Sequence, residues 1–297
     1  MRLEKTGRTG VILLWSRRIR WALMLAVLAY LCACTYMWQT QRQHIFEPKP
    51  QLQSTPDRLG LKFEEVHIQS GIGADQGDLF CWWIPAENAD APTMLFFHGN
   101  DKNIGAARDL DSAARLRGMG YNVLMGEYRG YGKSTGGEPS EAKIYEDAES
   151  AWRYLTRQRT IDPKRIFIYG HSLGGAIAIN LGVHHPNAGG LIAESTFTSI
   201  VDMAERKYAY LPADLLLNQR FDSIDKLNRM KIPVLFIHGT WDKRVPYHMS
   251  QQLFESAPQP KFLKLIEGGD HGNNAVVAPL EYRAAVSEFV QRYAVPH

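Results

Sequence analysis

Apolar residues fall along this chain in short dense runs, separated by stretches whose own apolar residues return every three or four positions. The runs Met94–Phe97, Arg165–Tyr169, Leu191–Ala193, Ile232–Gly239 and Lys261–Ile266 have the length and density of strands buried on both faces. Between them, Ile144, Ala148, Ala151 and Leu155 repeat at i, i+4, i+7 and i+11, one face of a helix, and Tyr282, Val286 and Phe289 repeat in the same way near the end. The small apolar residues after Gly174 predict a helix that stops near Gly182–His185, because Pro186 cannot continue it. Upstream, Phe63, Val66 and Ile68 lie among polar residues, and with Leu79–Ile84 they read as an antiparallel pair. Strands alternating with helices predict an α/β fold: a mostly parallel, twisted sheet with helices on both faces.

Two segments break the alternation. Residues 196–230 form an apolar, aromatic insertion between two strands, with Phe197, Met203, Tyr208, Tyr210 and Leu215–Leu217. Residues 21–38 carry no charge and are just long enough to cross a bilayer core. Arg17, Arg18 and Arg20 precede them, which puts the amino terminus on the cytoplasmic side and the remainder on the opposite, periplasmic, extracellular or lumenal side. Within this stretch Leu31-Cys32-Ala33-Cys34 resembles a bacterial lipoprotein cleavage box with Cys34 as the lipidated residue. Cys32 is an unusual occupant there, and an uncleaved anchor is the reading carried forward. The expected layout is a basic segment 1–20, an anchor 21–38, a Gln- and Pro-bearing tether of semi-extended character 39–60, and one domain 61–297 with the insertion 196–230.

Charge and cysteine usage narrow the classes. The net charge is +3, but the first twenty residues hold +5, so the remainder is −2. The basic balance therefore belongs to membrane topology and gives no support to nucleic-acid binding. Of three cysteines only Cys81 lies outside the apolar segment, so the domain has no internal disulfide, and no metal-binding spacing is present. No cofactor is implied.

The chemistry is concentrated at strand ends. Gly170-His171-Ser172-Leu173-Gly174 joins a predicted strand to a predicted helix, and the glycines leave room for a serine held on a sharp turn. A serine hydroxyl needs a base to take its proton and an acid to orient that base. Asp242 follows the strand 232–239, and His271 lies in the glycine-flanked loop after 261–266, giving the order Ser172, Asp242, His271. Glu194, at the end of the strand 191–193, is the rival acid, and Asp270 reads as a loop carboxylate. His98 and His238, each before a glycine at a strand end, read as satisfied structural histidines, and His184-His185 as partners of a helix C-terminus. An oxyanion hole would take one donor from the N–H of Leu173 and the other from the N–H of Asn100, in the His98-Gly99-Asn100 turn after the strand 94–97.

Phe97–Asn100, Glu127–Ser134 with Gly137–Ser140, Gly170–Gly175, Asp242-x-x-Val245-Pro246 and Asp270-His271 together resemble one group across about residues 61–295. It is the α/β-hydrolase, serine aminopeptidase-like group that includes membrane-anchored lysophospholipid and palmitoyl-protein hydrolases. Asp101 departs from the small residue that many relatives carry after His-Gly-Asn. The resemblance implies an α/β-hydrolase fold, a small cap over the site at 196–230, and a serine hydrolase acting on acyl esters, thioesters or lipid-like substrates. The alternatives are a serine peptidase with the same residues, and a catalytically silent, membrane-tethered binding protein.

Overall fold

The computed structural model describes residues 6–295, and side chains over 17–295; Arg2 and Lys5 of the basic leader lie outside the described residues. Among the described residues ten strands form: β1 (Glu47–Pro48), β2 (Glu64–Ser70), β3 (Gly77–Ile84), β4 (Thr93–Phe97), β5 (Asp101–Lys102), β6 (Asn122–Gly126), β7 (Ile166–His171), β8 (Gly190–Glu194), β9 (Val234–Gly239) and β10 (Lys261–Ile266). Eight make one sheet in the order β10-β9-β8-β7-β4-β6-β3-β2. It is parallel from β10 to β6; β3 runs antiparallel to β6 and β2 to β3, so the hairpin expected near the start of the domain is present.

Successive strand residues feed opposite faces. Leu95, Phe97, Ile166 and Ile168 join one apolar cluster, while Met94, Phe96, Phe167 and Tyr169 join the other. That is why these strands read as continuous apolar runs: with helices on both faces, neither side chain of a pair can be polar. Each fully buried side chain of this size stabilises the fold by about 1.5–3 kcal/mol.

The helices are α1 (Thr6–Ile45), α2 (Ala107–Gly118), α3 (Glu141–Arg153), α4 (Leu173–His184), α5 (Ile200–Lys207), α6 (Ala213–Leu216), α7 (Ser223–Leu227), α8 (His248–Ser256), α9 (Asn274–Val277) and α10 (Pro279–Tyr293). Ser140 caps α3 by accepting a hydrogen bond from the Lys143 N–H. The stripe Ile144, Ala148, Ala151 is buried as its spacing requires, and Tyr282, Val286 and Phe289 of α10 are buried likewise. The insertion 196–230 folds into the short helices α5, α6 and α7.

The segment 39–60 departs from the tether that its composition implies. Residues 39–45 continue α1, Ile45 and Phe46 are buried, and Phe46 meets Phe221 edge to face at 6.0 Å. β1 then pairs with β5, and the Asn103 amide donates to the carbonyls of Lys49 and Gln51 at 2.7 and 2.9 Å. Asn100 donates from its amide to the Ile45 carbonyl at 2.9 Å. The polar residues of 39–60 look solvated in sequence, but their backbone partners come from the domain.

Candidate active site

Chain order places β4 and β7 side by side, with Phe97 opposite Gly170, while the strands after β4 and after β7 run to opposite sides. A crevice opens beyond the carboxyl ends at such a reversal. Asn100 and Ser172 both lie just past those ends.

Ser172 sits at φ 56° and ψ −119°, a left-handed backbone that a β-carbon resists, between β7 and α4. The turn closes only because its neighbours lack side chains. A β-carbon on Gly170 would meet the Gly174 carbonyl oxygen at 2.0 Å, and one on Gly174 would meet the Phe97 carbonyl oxygen at 2.1 Å. The Ser172 N–H donates to the Glu194 carbonyl at 2.9 Å, and the Thr196 hydroxyl donates to the Ser172 carbonyl at 2.8 Å. The serine is thereby fixed from the adjoining strand.

His271 Nε2 lies 3.0 Å from Ser172 Oγ, and His271 Nδ1 lies 2.7 Å from Asp242 Oδ2. The structure thus brings together the three residues expected from chain order, contributed by three strand ends. Asp242 Oδ1 accepts from the N–H groups of Arg244 and Val245, each at 2.9 Å. Burial pushes the Asp242 carboxyl up, yet hydrogen bonds from His238 and His271, the electrostatic pull of the His271 ring and the Val245 N–H outweigh it and hold the group well below the usual carboxylate range. The aspartate loop and the histidine loop are tied together: the Trp241 N–H donates to the Gly269 carbonyl at 2.8 Å and the Gly268 N–H to the Thr240 hydroxyl at 3.0 Å.

Glu194 is elsewhere. Its carboxylate accepts from Tyr169 Oη and, at 2.9 Å, from the Asn274 amide, a buried structural knot with Tyr282 nearby. Asp270 is exposed and accepts from the Gly272 N–H, as a turn carboxylate does. His98 is wholly buried, with Nε2 2.6 Å from Glu127 and Nδ1 2.8 Å from the Gly99 carbonyl.

Tyr128 and Tyr131 donate their hydroxyls to the carbonyls of His98 and Asn100, each at 2.8 Å, so the aromatic loop Glu127–Ser134 holds the turn after β4 in place. The Asn100 carbonyl also accepts from the Glu47 N–H at 3.0 Å. The Leu173 N–H opens α4, and both Leu173 and Asn100 line the cavity that holds Ser172.

Two histidines have roles beyond the sequence reading. His238 is satisfied, as expected, but one of its partners is Asp242: Nε2 is 3.1 Å from Oδ2 and Nδ1 is 2.6 Å from Ser250 Oγ. The spacing His238-x-x-x-Asp242 across a glycine turn was the available signal. His171 Nε2 lies 2.6 Å from the His271 carbonyl, steadying the histidine loop. Burial, with Arg108 and His271 nearby, holds His171 far below the usual histidine range, so the ring is neutral and Nε2 donates.

A cavity of about 590 Å³ opens over Ser172 and His271. Phe197, Ile200, Met203 and Leu211 of the insertion wall one side, and Met37 and Ile45 of α1 another.

The sheet, its reversal point and the serine turn define an α/β-hydrolase. The chain belongs to the α/β-hydrolase domain-containing proteins, and residues 89–224 match the family described as "Serine aminopeptidase, S33", a stretch that includes Ser172 and stops before Asp242. An uncharacterized protein of Mycobacterium tuberculosis is 31% identical over 262 residues, covering 88% of this chain and 91% of its own. The α/β-hydrolase domain-containing protein WAV2 of Arabidopsis thaliana is 32% identical over 259 residues, covering 81% of this chain and 82% of its own. Among solved structures, the Pyrococcus furiosus esterase Pf2001 superposes with a TM-score of 0.70 at 24% identity, covering 84% of this chain and all of that one, a likeness of fold.

Proposed function

We propose that this hydrolase is a membrane-anchored serine esterase, or thioesterase, for acyl substrates. The observation that carries the reading is the relay of 3.0 and 2.7 Å from Ser172 through His271 to Asp242, set under an apolar cavity. In this reading Ser172 Oγ attacks the acyl carbon and His271 Nε2 takes its proton. His271 then returns that proton to the leaving alcohol or thiol, and water repeats the sequence on the acyl-enzyme. Asp242, kept ionised, holds the His271 tautomer and stabilises the imidazolium. The N–H groups of Leu173 and Asn100 receive the oxyanion, the first with the field of a helix N-terminus behind it.

The apolar helix Arg17–Ile45 is long and apolar enough to cross a bilayer. It supports an anchor at 21–38; in this reading the anchor is uncleaved at Cys34, and the preceding arginines favour the hydrolase domain on the non-cytoplasmic side. The insertion 196–230 acts as the cap.

The test is turnover of p-nitrophenyl esters from acetate to palmitate by the full chain in detergent, beside Ser172→Ala. Turnover by the parent, loss of at least about 10³-fold in the variant, and labelling of the parent alone by a fluorophosphonate are expected. A folded parent that cleaves no ester and escapes the label overturns the reading. Cleavage of aminoacyl arylamides instead of esters moves the substrate class to peptides.

A further inference from the structure

From the cavity mouth and the face of α1 that walls it, and resting on the esterase reading above, we infer that the substrate is an anionic lipid. It is taken directly from the bilayer leaflet beside α1, its acyl chain in the cavity and its charged headgroup against Arg206, Lys207, Lys243 and Arg244.

Two independent sets of observations meet here. The first is charge. The cavity that holds Ser172 is walled by apolar side chains, yet four basic residues line it: Arg206 and Lys207 at the end of α5, and Lys243 and Arg244 beside Asp242. All four are exposed, and none forms an ion pair among the described residues. Glu47 is the one acidic residue in the lining, and Asp101, which feels Arg244, already pairs with Arg108. Four unneutralised cations around an apolar cavity match an amphiphile with an anionic head, and they disfavour a cationic one.

The second is position. Tyr30, Cys34, Met37, Gln41 and Ile45 recur at helical spacing and form one face of α1. Tyr30 donates its hydroxyl to the Tyr210 carbonyl at 3.0 Å, Cys34 and Ile45 are buried, and Gln41 bonds to Leu216, Asn218 and Gln219. The insertion is therefore fastened to the apolar helix as far up as Tyr30, the middle of the uncharged stretch 21–38, about 12 Å inside either end at 1.5 Å per residue. If that stretch spans the hydrocarbon, the insertion is immersed beside it. The side chains it presents agree: Leu215 is 83% and Tyr210 69% exposed, the large apolar surfaces that lipid would cover. The cavity wall formed by Met37 and Ile45 belongs to the same helix, so an acyl chain reaches Ser172 along α1 without crossing water. Hydrolysis then breaks the acyl C–O bond, water adding its hydroxyl to the acyl carbon and a proton to the lipid alcohol.

The experiment uses the full chain in phosphatidylcholine bilayers. 1-Palmitoyl-lysophosphatidylglycerol and 1-palmitoyl-lysophosphatidylcholine are compared as guests, with p-nitrophenyl butyrate as a soluble control. The anionic lipid is expected to be cleaved at least tenfold faster than the zwitterionic one. In the pairs Arg206→Gln/Lys207→Gln and Lys243→Gln/Arg244→Gln that ratio falls toward one. Raising salt lowers the parent's ratio. A second prediction separates a leaflet source from a free anion: Leu215→Asp/Tyr210→Asp lowers cleavage of the bilayer guest relative to the same lipid in dilute monomeric form. Equal cleavage of both guests, or a ratio untouched in both Gln pairs, overturns the inference while p-nitrophenyl butyrate turnover leaves the esterase reading standing. Loss of all turnover, butyrate included, shows that the esterase reading itself has failed.

Discussion

His238 and His271 hold the same oxygen of Asp242, at 3.1 and 2.7 Å. The tautomer of His238 follows from its partners: Nε2 faces the carboxylate and the Val245 carbonyl at 2.9 Å, so Nε2 carries the proton and Nδ1 accepts from the Ser250 hydroxyl. His238→Gln weakens that grip and leaves Asp242 freer to turn from His271. A hydrogen bond to a charged group is worth about 1.5–3 kcal/mol, so kcat for a short ester is expected to fall on the order of 10–100-fold, with KM little changed. Steady-state kinetics of the variant check this, and an unchanged kcat would show that His238 only fills space.

Asp242→Asn tests the acid more severely. The amide offers an N–H where His271 needs an acceptor, and a loss in kcat of about 10³–10⁴-fold is expected, with the fold retained by circular dichroism. Glu194→Gln, by contrast, is predicted to lower the melting temperature and to leave kcat within about threefold, because Glu194 bonds to Tyr169 and Asn274 and not to His271.

His171 makes stability depend on pH in a definite direction. Its ring is held neutral, with a folded-state pKa far below the unfolded value, so the unfolded chain binds the extra proton first. Its contribution is complete above the unfolded pKa of about 6.5 and is lost as pH falls toward the folded value, at about 1.4 kcal/mol per pH unit. His171→Gln keeps a donor for the His271 carbonyl and removes the titration. Thermal melts of the parent should therefore drop more steeply between pH 7.5 and 5 than those of the variant; parallel curves would contradict the assignment.

Gly174→Ala puts a β-carbon 2.1 Å from the Phe97 carbonyl oxygen, backbone against backbone. The clash separates α4 from the end of β4, and a loss of more than about 3 kcal/mol in denaturant melts is expected, beyond ordinary overpacking.

Gln41→Ala removes the acceptor shared by the N–H groups of Asn218 and Gln219, at 2.8 and 3.3 Å. The Gln219 N–H, which is buried, costs about 1–3 kcal/mol when left without a partner, while the Asn218 N–H can turn to water. Hydrogen exchange is expected to quicken over 213–220 while the sheet keeps its protection.

The sheet and the grouping of Ser172, Asp242 and His271 were legible because their signals are local. An apolar run ends, a glycine lets the chain turn, and the functional side chain follows within a few positions, as at Gly170-His171-Ser172 and Gly269-Asp270-His271. What was not legible depends on pairs distant in sequence. Gln41 gives no hint that it caps residues 218 and 219, and the polar stretch 39–60 carries no mark of its pairing with β5. Even so close a pair as His238 and Asp242 needed the fold, since only the turn through Gly239 aims the ring at the carboxylate. Glu194 and Asp242 both follow strands, and the choice between them rested on which loop reaches His271.

The stripe from Tyr30 to Ile45 gives α1 a fixed azimuth. A leash tolerates any sequence of the right length, but here a single residue inserted between 34 and 45 would turn everything before it by about 100° about the helix axis. Tyr30, Cys34 and the chain above them would face away from the insertion while Ile45 stayed in place. A chimera carrying another apolar helix in place of α1 would lose one wall of its cavity unless the phase of the graft were matched. In this chain the apolar helix and the cavity over Ser172 share one part.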